Sequence, residues 1–386
     1  MRLAALIAAG RSAQASDLHL EPGLPASLRV SGQLRSVGEP IPAAELLAMA
    51  RELVGEERWP EFLERRSCDL SRTVAGARLR INVLCTSRGV GLAVRFLASF
   101  KASLAKLNLH PDLLRLAQSP NGLVIVSGPT GSGKSSTLAA LIQEINARER
   151  RHIVTLEAPV EYALVPRQAF IRQREVGRDT PTFEQGLYDA LREDPDVLMV
   201  GELRDPQTMR LTLNAAETGH LVLTTLHSST CAEALQRIVS AFPAEIQSGI
   251  CAQLADSLVG VVCQRMRFIE SHGLRAPECE VLLGTQSVRA IVRQGQFFKL
   301  QTALETGGND GLFTFARYRE WMEKRTDWQT ATPETGPDEV PAREDHLLPP
   351  RKRGKEPGAV VGSEGAVEIG PGDEDLARIL SELEDK

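Results

Sequence analysis

The chain has 386 residues, 42% of them hydrophobic, with 45 Lys and Arg against 50 Asp and Glu and a formal net charge of −5. That length suggests roughly two or three domains with ample apolar material for packed cores, and the acidic balance supplies no global basic field for nucleic acid or an anionic membrane. Six cysteines (Cys68, Cys85, Cys231, Cys251, Cys263 and Cys279) are widely spaced without a Cys-X-X-Cys, which argues against a zinc site or disulfide framework and for reduced thiols in a cytosol.

Leu3, Leu6 and Ile7 suit a small amphipathic helix, and the apolar run around them is too short for a convincing signal peptide. No stretch reaches the about 18 apolar residues that a membrane span needs. Residues 1–98 read as an α/β module. Ser16 to Glu21 and Ser27 to Leu34 alternate with period two around a turn at Ser31-Gly32-Gln33. Ala43 to Arg66 has helical spacing, and strands return at Ala77 to Val83 and Gly91 to Phe96. Residues 99–121 form a connection in which His110-Pro111-Asp112 starts a helix.

From residue 122 strands and helices alternate as in a parallel, helix-covered sheet. Strands are expected at Gly122 to Ser127, His152 to Leu156, Asp196 to Val200 and His220 to Thr225. Helices are expected at Ser136 to Ile142, Thr182 to Glu193, Pro206 to Thr218, Cys231 to Val239 and Ala244 to Val259. This core occupies 122–286, followed by a helical end piece at 287–328. Beyond it, 329–386 is rich in Pro, Gly, Glu and Asp with one basic knot, Arg351-Lys352-Arg353, and reads as a disordered tail. Leu376, Ile379, Leu380 and Leu383 have helix spacing within it.

The most informative stretch is Gly128-Pro129-Thr130-Gly131-Ser132-Gly133-Lys134-Ser135-Ser136, lying between an apolar strand and a helix. Its glycines let backbone N–H groups converge on a phosphate at a helix N-terminus. Lys134 would reach the β- and γ-phosphates of ATP, and Ser135 would ligate Mg²⁺. Glu202 follows Gly201 where the apolar strand Asp196 to Val200 ends, at the sheet edge where open α/β folds bind ligands, and would hold Mg²⁺ directly or through water. Glu157 and Glu161 end another strand, with Pro159 fixing the turn between them. One of the two is a candidate base for the attacking water. His227 lies at the carboxyl end of its strand, the place for a γ-phosphate sensor, and His220 lies at the opposite end.

With these elements in order, the chain resembles the type IV pilus retraction ATPases, the PilT-type branch of the type II/IV secretion ATPase superfamily, from about Arg2 to Trp328. The marks are Ala15 to Leu20, the loop from Gly128 to Ser135, Gln173-Arg174-Glu175-Val176, Ala190 to Asp196, Gly201 to Asp205 and Ala215 to His220. The resemblance implies a PAS-like N-terminal domain, a RecA-like ATPase core and a cytoplasmic ring of six subunits. It also implies docking on an inner-membrane pilus platform, with a paralogous pilus ATPase as a further partner.

Carried over by position, Lys134 and Ser135 bind phosphate and metal, Glu161 activates water, Glu202 is the Walker B acid and His227 belongs to a His box. Arg80 and Arg95 contact the nucleotide's phosphates from the N-terminal module, as arginine fingers do. Retraction is favoured over assembly or type II secretion by a start directly at the small module and by the absence of a four-cysteine insert. Ser287 to Arg293 also partly matches the retraction family's Ala-Ile-Arg-Asn-Leu-Ile-Arg motif. One departure stands out: Ala158 occupies the aspartate position of the family's Glu-Asp-Pro-(Ile/Val)-Glu box. It motivates an alternative, an accessory subunit that binds nucleotide and hydrolyses it weakly. Without an aromatic and basic track, a nucleic-acid motor is the weaker reading.

Overall fold

The computed structural model describes residues 2–30, 33–97 and 103–329. The turn around Ser31 and Gly32, the tail and its Leu376 to Leu383 spacing lie outside the described residues.

The N-terminal module opens with helix α1 (Arg2–Ser12), whose Ile7 is fully buried. Strands β1 (Asp17–Leu20), β2 (Ala26–Val30) and β3 (Gln33–Val37) follow, then helices α2 (Ala43–Val54) and α3 (Trp59–Arg65), then β4 (Ser67–Val74), β5 (Ala77–Thr86) and β6 (Gly89–Leu97). They form one antiparallel sheet in the order β3-β2-β1-β6-β5-β4. The helical stretch from Ala43 to Arg66 is two helices rather than one. Gly55 closes α2 at φ 79°, its N–H bonding Arg51 O, a backbone setting that glycine adopts without strain. Strand β4 escapes the sequence patterns because it is an edge strand with a largely polar sequence, SCDLSRTV, and only Cys68, Leu70 and Ser71 are buried.

The second module starts at the segment 103–117, where Leu104, Leu109, Leu113, Leu116 and Ala117 pack into its core. A turn of 3₁₀ helix at Pro111–Leu113, capped by His110 Nδ1 accepting from the Asp112 N–H, runs into α4 (Leu114–Ala117). Then come β7 (Gly122–Ser127), α5 (Lys134–Arg148), β8 (His152–Glu157), β9 (Phe170–Glu175), α6 (Phe183–Ala190), β10 (Val197–Val200), α7 (Pro206–Glu217), β11 (Leu221–Leu226), α8 (Cys231–Ser240) and α9 (Ala244–Ser257). The chain closes with β12 (Leu258–Ile269), β13 (Leu274–Leu283), α10 (Gln286–Arg293), α11 (Leu300–Thr306) and α12 (Phe315–Lys324).

The sheet order is β13-β12-β7-β11-β10-β8-β9, parallel except for β12 against β13. Three of these strands are absent from the sequence expectation. Strand β9 (FIRQRE) is a charged edge strand whose arginines pair with Asp189 and Glu193, so apolar alternation never develops. Helix α9 stops at Ser257, and the β-branched run Val259, Val261 and Val262 continues as β12 beside β7. Strand β13 carries Pro277, which an edge strand tolerates. Among the described residues no helix is long and apolar enough to cross a membrane.

The last helix is tied to the first segment of the core at one point. The fully buried Tyr318 hydroxyl accepts a 2.9 Å bond from the His110 N–H, and His110 stacks against Phe313 and Trp321 with centroids 4.4 and 4.5 Å away. Tyr318→Phe leaves that N–H unpaired in the interior, which costs about 1–3 kcal/mol. The variant is expected to unfold at a correspondingly lower urea midpoint with an unchanged slope, and an unaltered midpoint would remove this contact from the account of stability.

Candidate active site

Parallel pairing sets the order of the site. Strands β7, β11, β10 and β8 are consecutive neighbours, so the loop after β7, His227 after β11, Glu202 after β10 and Glu157 at the end of β8 stand side by side along one carboxyl edge. They line a cavity of about 380 Å³ together with Glu161, Ala158, Pro159, Tyr162 and Phe183. Thr130, Gly131, Gly133, Lys134, Ser135 and Ser136 form its floor.

The loop is shaped by three positive-φ glycines, Gly128 at 146°, Gly131 at 77° and Gly133 at 85°. Gly128 has a second constraint, since a Cβ there would lie 2.2 Å from Gln264 O. Gly133 caps α5, and no side chain accepts from that helix's first turn, so its N–H groups and the dipole suit an anion. Lys134 Nζ donates to Gly128 O at 2.8 Å and Pro129 O at 3.0 Å. Burial lowers its pKa, while the Glu202 and Glu161 carboxylates pull it back up. The three groups therefore share one field. Magnesium fits this donor set: Ser135 and Glu202 would supply hard oxygen ligands of the kind that the ion takes. No cluster of three or more His, Cys, Asp or Glu that could cage a metal occurs among the described residues.

The four acids and bases differ in environment. Glu202 pairs with Arg204, raising the pKa of that guanidinium, and its other oxygen lies 3.6 Å from His227 Nε2. Glu161 is exposed on the cavity wall. Glu157 is buried, and burial pushes its carboxyl above the ordinary range against hydrogen bonds from Thr155 Oγ1 (2.7 Å), Gln173 Nε2 (3.1 Å) and the Glu161 N–H. Glu157 thus acts as a post of the acidic loop, and Glu161 is the carboxylate free to meet water.

Several residues that position this site carry no sequence signal. Gln264 of β12 is buried. It donates to Ser132 O and accepts from Thr137 Oγ1 at 2.8 Å, clamping the phosphate loop from a strand more than a hundred residues away. Tyr162 shares a 2.8 Å hydrogen bond with Ser136 Oγ, joining the acidic loop to the first turn of α5. Gln173 donates to Tyr162 O at 2.9 Å and accepts from the Leu164 N–H at 2.8 Å, so it stitches that loop to β9. Its place in the Gln173-Arg174-Glu175-Val176 mark was the available clue.

The structure brings Lys134, Ser135, Ser136, Glu161, Glu202 and His227 together and leaves Arg80 and Arg95 outside the cavity. Arg95 Nε donates to Asp17 Oδ1 at 2.9 Å across the β1/β6 pair. Arg80 lines a neighbouring cleft that shares Ala158 and Pro159 with the cavity. His220 is likewise remote, its Nδ1 3.0 Å from Ala215 O.

A family model described as type II/IV secretion system protein matches residues 3–296. The type IV pilus retraction ATPase PilT of Pseudomonas aeruginosa is 38% identical over 316 residues, covering 81% of this chain and 92% of that protein. A twitching motility protein of Neisseria gonorrhoeae is 37% identical over 289 residues, 74% of this chain and 77% of that one. Among solved structures, the pilus retraction motor PilT with bound ADP is similar at a TM-score of 0.76 and 32% identity, covering 89% of this chain and 98% of that chain.

Two outcomes test the site's construction. Gln264→Leu removes both clamps on the loop and is expected to weaken binding of a fluorescent ADP analogue by about tenfold or more, the equivalent of one or two buried hydrogen bonds. Glu157 has a folded pKa above its ordinary value near 4.5, so the folded state holds this proton more tightly than the unfolded one. Stability from this group is present at low pH and is lost as pH rises from about 4.5 through the raised folded value. Glu157→Gln, whose amide oxygen can accept the same bonds, therefore gains in urea midpoint relative to the parent between pH 4 and pH 7. A constant difference across that range contradicts the upward shift of the Glu157 carboxyl.

Proposed function

This chain belongs to the type II/IV secretion system protein family, in its PilT-type branch, and from that membership we propose that it is an ATP-hydrolysing motor of a type IV pilus machine that drives pilus retraction. The observation that carries the reading is the convergence of Lys134, Glu161, Glu202 and His227 on one cavity at the carboxyl edge of the parallel sheet. In it the loop amides and Lys134 would hold the phosphates, Ser135 and Glu202 would be the ligands for Mg²⁺, and His227 stands beside Glu202, 3.6 Å away, as the candidate γ-phosphate sensor. Magnesium held there would neutralise phosphate charge. Glu161 orients and deprotonates the attacking water.

Phosphoryl transfer is catalysed mainly by positioning and charge stabilisation, and two further cations, Arg80 and Arg95, stand outside the cavity. We place them on the nucleotide only after rigid-body closure of the N-terminal module over the core. For Arg95 that requires release of Asp17. A six-subunit ring that couples this closure to pilin disassembly on an inner-membrane platform, at the cytoplasmic face and beside a paralogous ATPase, is the assembly we assign. Nucleic acid is not among its partners.

Ala158 and the burial of Glu157, which pushes its carboxyl up, favour a second reading, a nucleotide-binding accessory subunit with weak hydrolysis. Turnover of the purified protein decides between the two: robust magnesium-dependent hydrolysis rejects the accessory role, and basal turnover that rises in Ala158→Asp supports it. For the motor, Lys134→Ala abolishes turnover, and Glu161→Gln retains ATP binding while losing about 10²- to 10⁴-fold in rate. Normal rates in both variants sink the site assignment. Deleting the gene in its host is expected to leave excess surface pili without twitching, whereas loss of pili points to assembly.

A further inference from the structure

Between the N-terminal module and the core lies a second cleft, of about 290 Å³. Its walls carry four guanidinium groups, from Arg58 before α3, Arg72 on β4, Arg80 on β5 and Arg178 after β9, against two acids, Asp69 and Glu175. Both acids already accept hydrogen bonds, Asp69 from Asn82 Nδ2 at 3.2 Å and Glu175 from the Val160 N–H at 3.3 Å. Arg72 donates to Leu53 O at 3.2 Å, and Arg178 pairs with Asp179 and donates to Ser71 O at 3.1 Å. Ser71 stands directly opposite Arg80 in the β4/β5 register, so the contact from the core lands beside Arg80.

Arg58 and Arg80 are half-buried, and among the described residues neither side chain has a hydrogen-bond or ion-pair partner. The cleft holds more guanidinium groups than carboxylates, and holding cations partly away from water in excess of their counter-charges is costly, a cost that a bound anion removes. Guanidinium forks match the oxygens of a phosphate two at a time. The wall of the cleft also includes Ala158 and Pro159, two residues that line the nucleotide cavity as well. At position 158 a methyl group stands where a carboxylate would oppose an incoming anion.

We propose that this arginine cleft is a phosphate-binding site, distinct from the glycine loop, that receives the phosphate released in the adjoining cavity. The affinity for phosphate stands on the cleft alone, whereas the source of that phosphate rests on the ATPase reading above.

The test is calorimetric titration of inorganic phosphate into the full chain carrying Lys134→Ala, which silences the loop. One phosphate site is expected to persist in that background, and adding Arg58→Gln is expected to weaken it by about tenfold or more, the loss of a charge-assisted hydrogen bond. Ala158→Asp, which brings a competing carboxylate to the wall, is expected to do the same and serves if Arg58→Gln does not fold. No phosphate binding in Lys134→Ala, or binding that neither further substitution changes, overturns the site.

With Lys134 intact, stopped-flow release measured with a phosphate sensor is expected to lag behind ATP cleavage, and Arg58→Gln to shorten the lag. Phosphate binding with no such lag overturns the product-relay role. Failure of the ATPase reading is recognised separately, as absent turnover while phosphate still binds.

Discussion

Lys134 is a nearly buried ammonium held by carbonyls of its own loop, and the geometry of the site follows from keeping that charge in place. A buried cation needs hydrogen-bond acceptors and nearby anions. The loop provides the first by curling back through Gly128 and Pro129, which only the positive φ of its glycines permits. The sheet provides the second: parallel register aligns the ends of β7, β11, β10 and β8 and so brings Glu202 and the acidic loop of Glu161 to face it. Gln264 then fixes the loop from behind. Remove any of these supports and the ammonium is either solvated elsewhere or left unpaired.

The acidic loop solves a related problem. Two glutamates four residues apart near a phosphate site repel each other, and the fold separates their roles by burial. Glu157 is sunk beside Thr155 and Gln173, where burial pushes its carboxyl up, and Glu161 is turned out to the cavity. Ala158 between them adds no charge. Its neighbour across the wall is a cleft of guanidinium groups, so this short loop separates the nucleotide cavity from a region of net positive charge. The Arg178 bond to Ser71 O crosses the same boundary and joins the core to the N-terminal sheet. Motion of one module against the other must therefore pass through contacts that also border the site.

The strand, glycine loop and helix around Lys134 were legible because a phosphate loop is a local object: its conformation depends on residues adjacent in sequence and on an apolar strand that is buried on both faces. Glu202 and His227 were legible for the same reason, each ending a continuous apolar run. Strands β4, β9 and β13 were not. They are edge strands, where side chains pair with charges or carry proline instead of alternating. The break at Gly55 was hidden within helical spacing that continues on both sides of it.

By itself the sequence named the residues expected to bind phosphate, ligate a metal and activate water, and set them at strand ends of one α/β core. Those properties reside in residue type and short-range pattern. Only the tertiary structure decided that Gln264, far along the chain, clamps the loop, that Glu157 is a buried post and Glu161 the exposed acid, and that Arg95 is engaged by Asp17 while Arg80 opens onto a separate cleft. The reason is physical: burial, pKa and pairing depend on what distant segments bring into contact. No local pattern around Arg80 distinguishes a guanidinium in water from one half-buried without a partner.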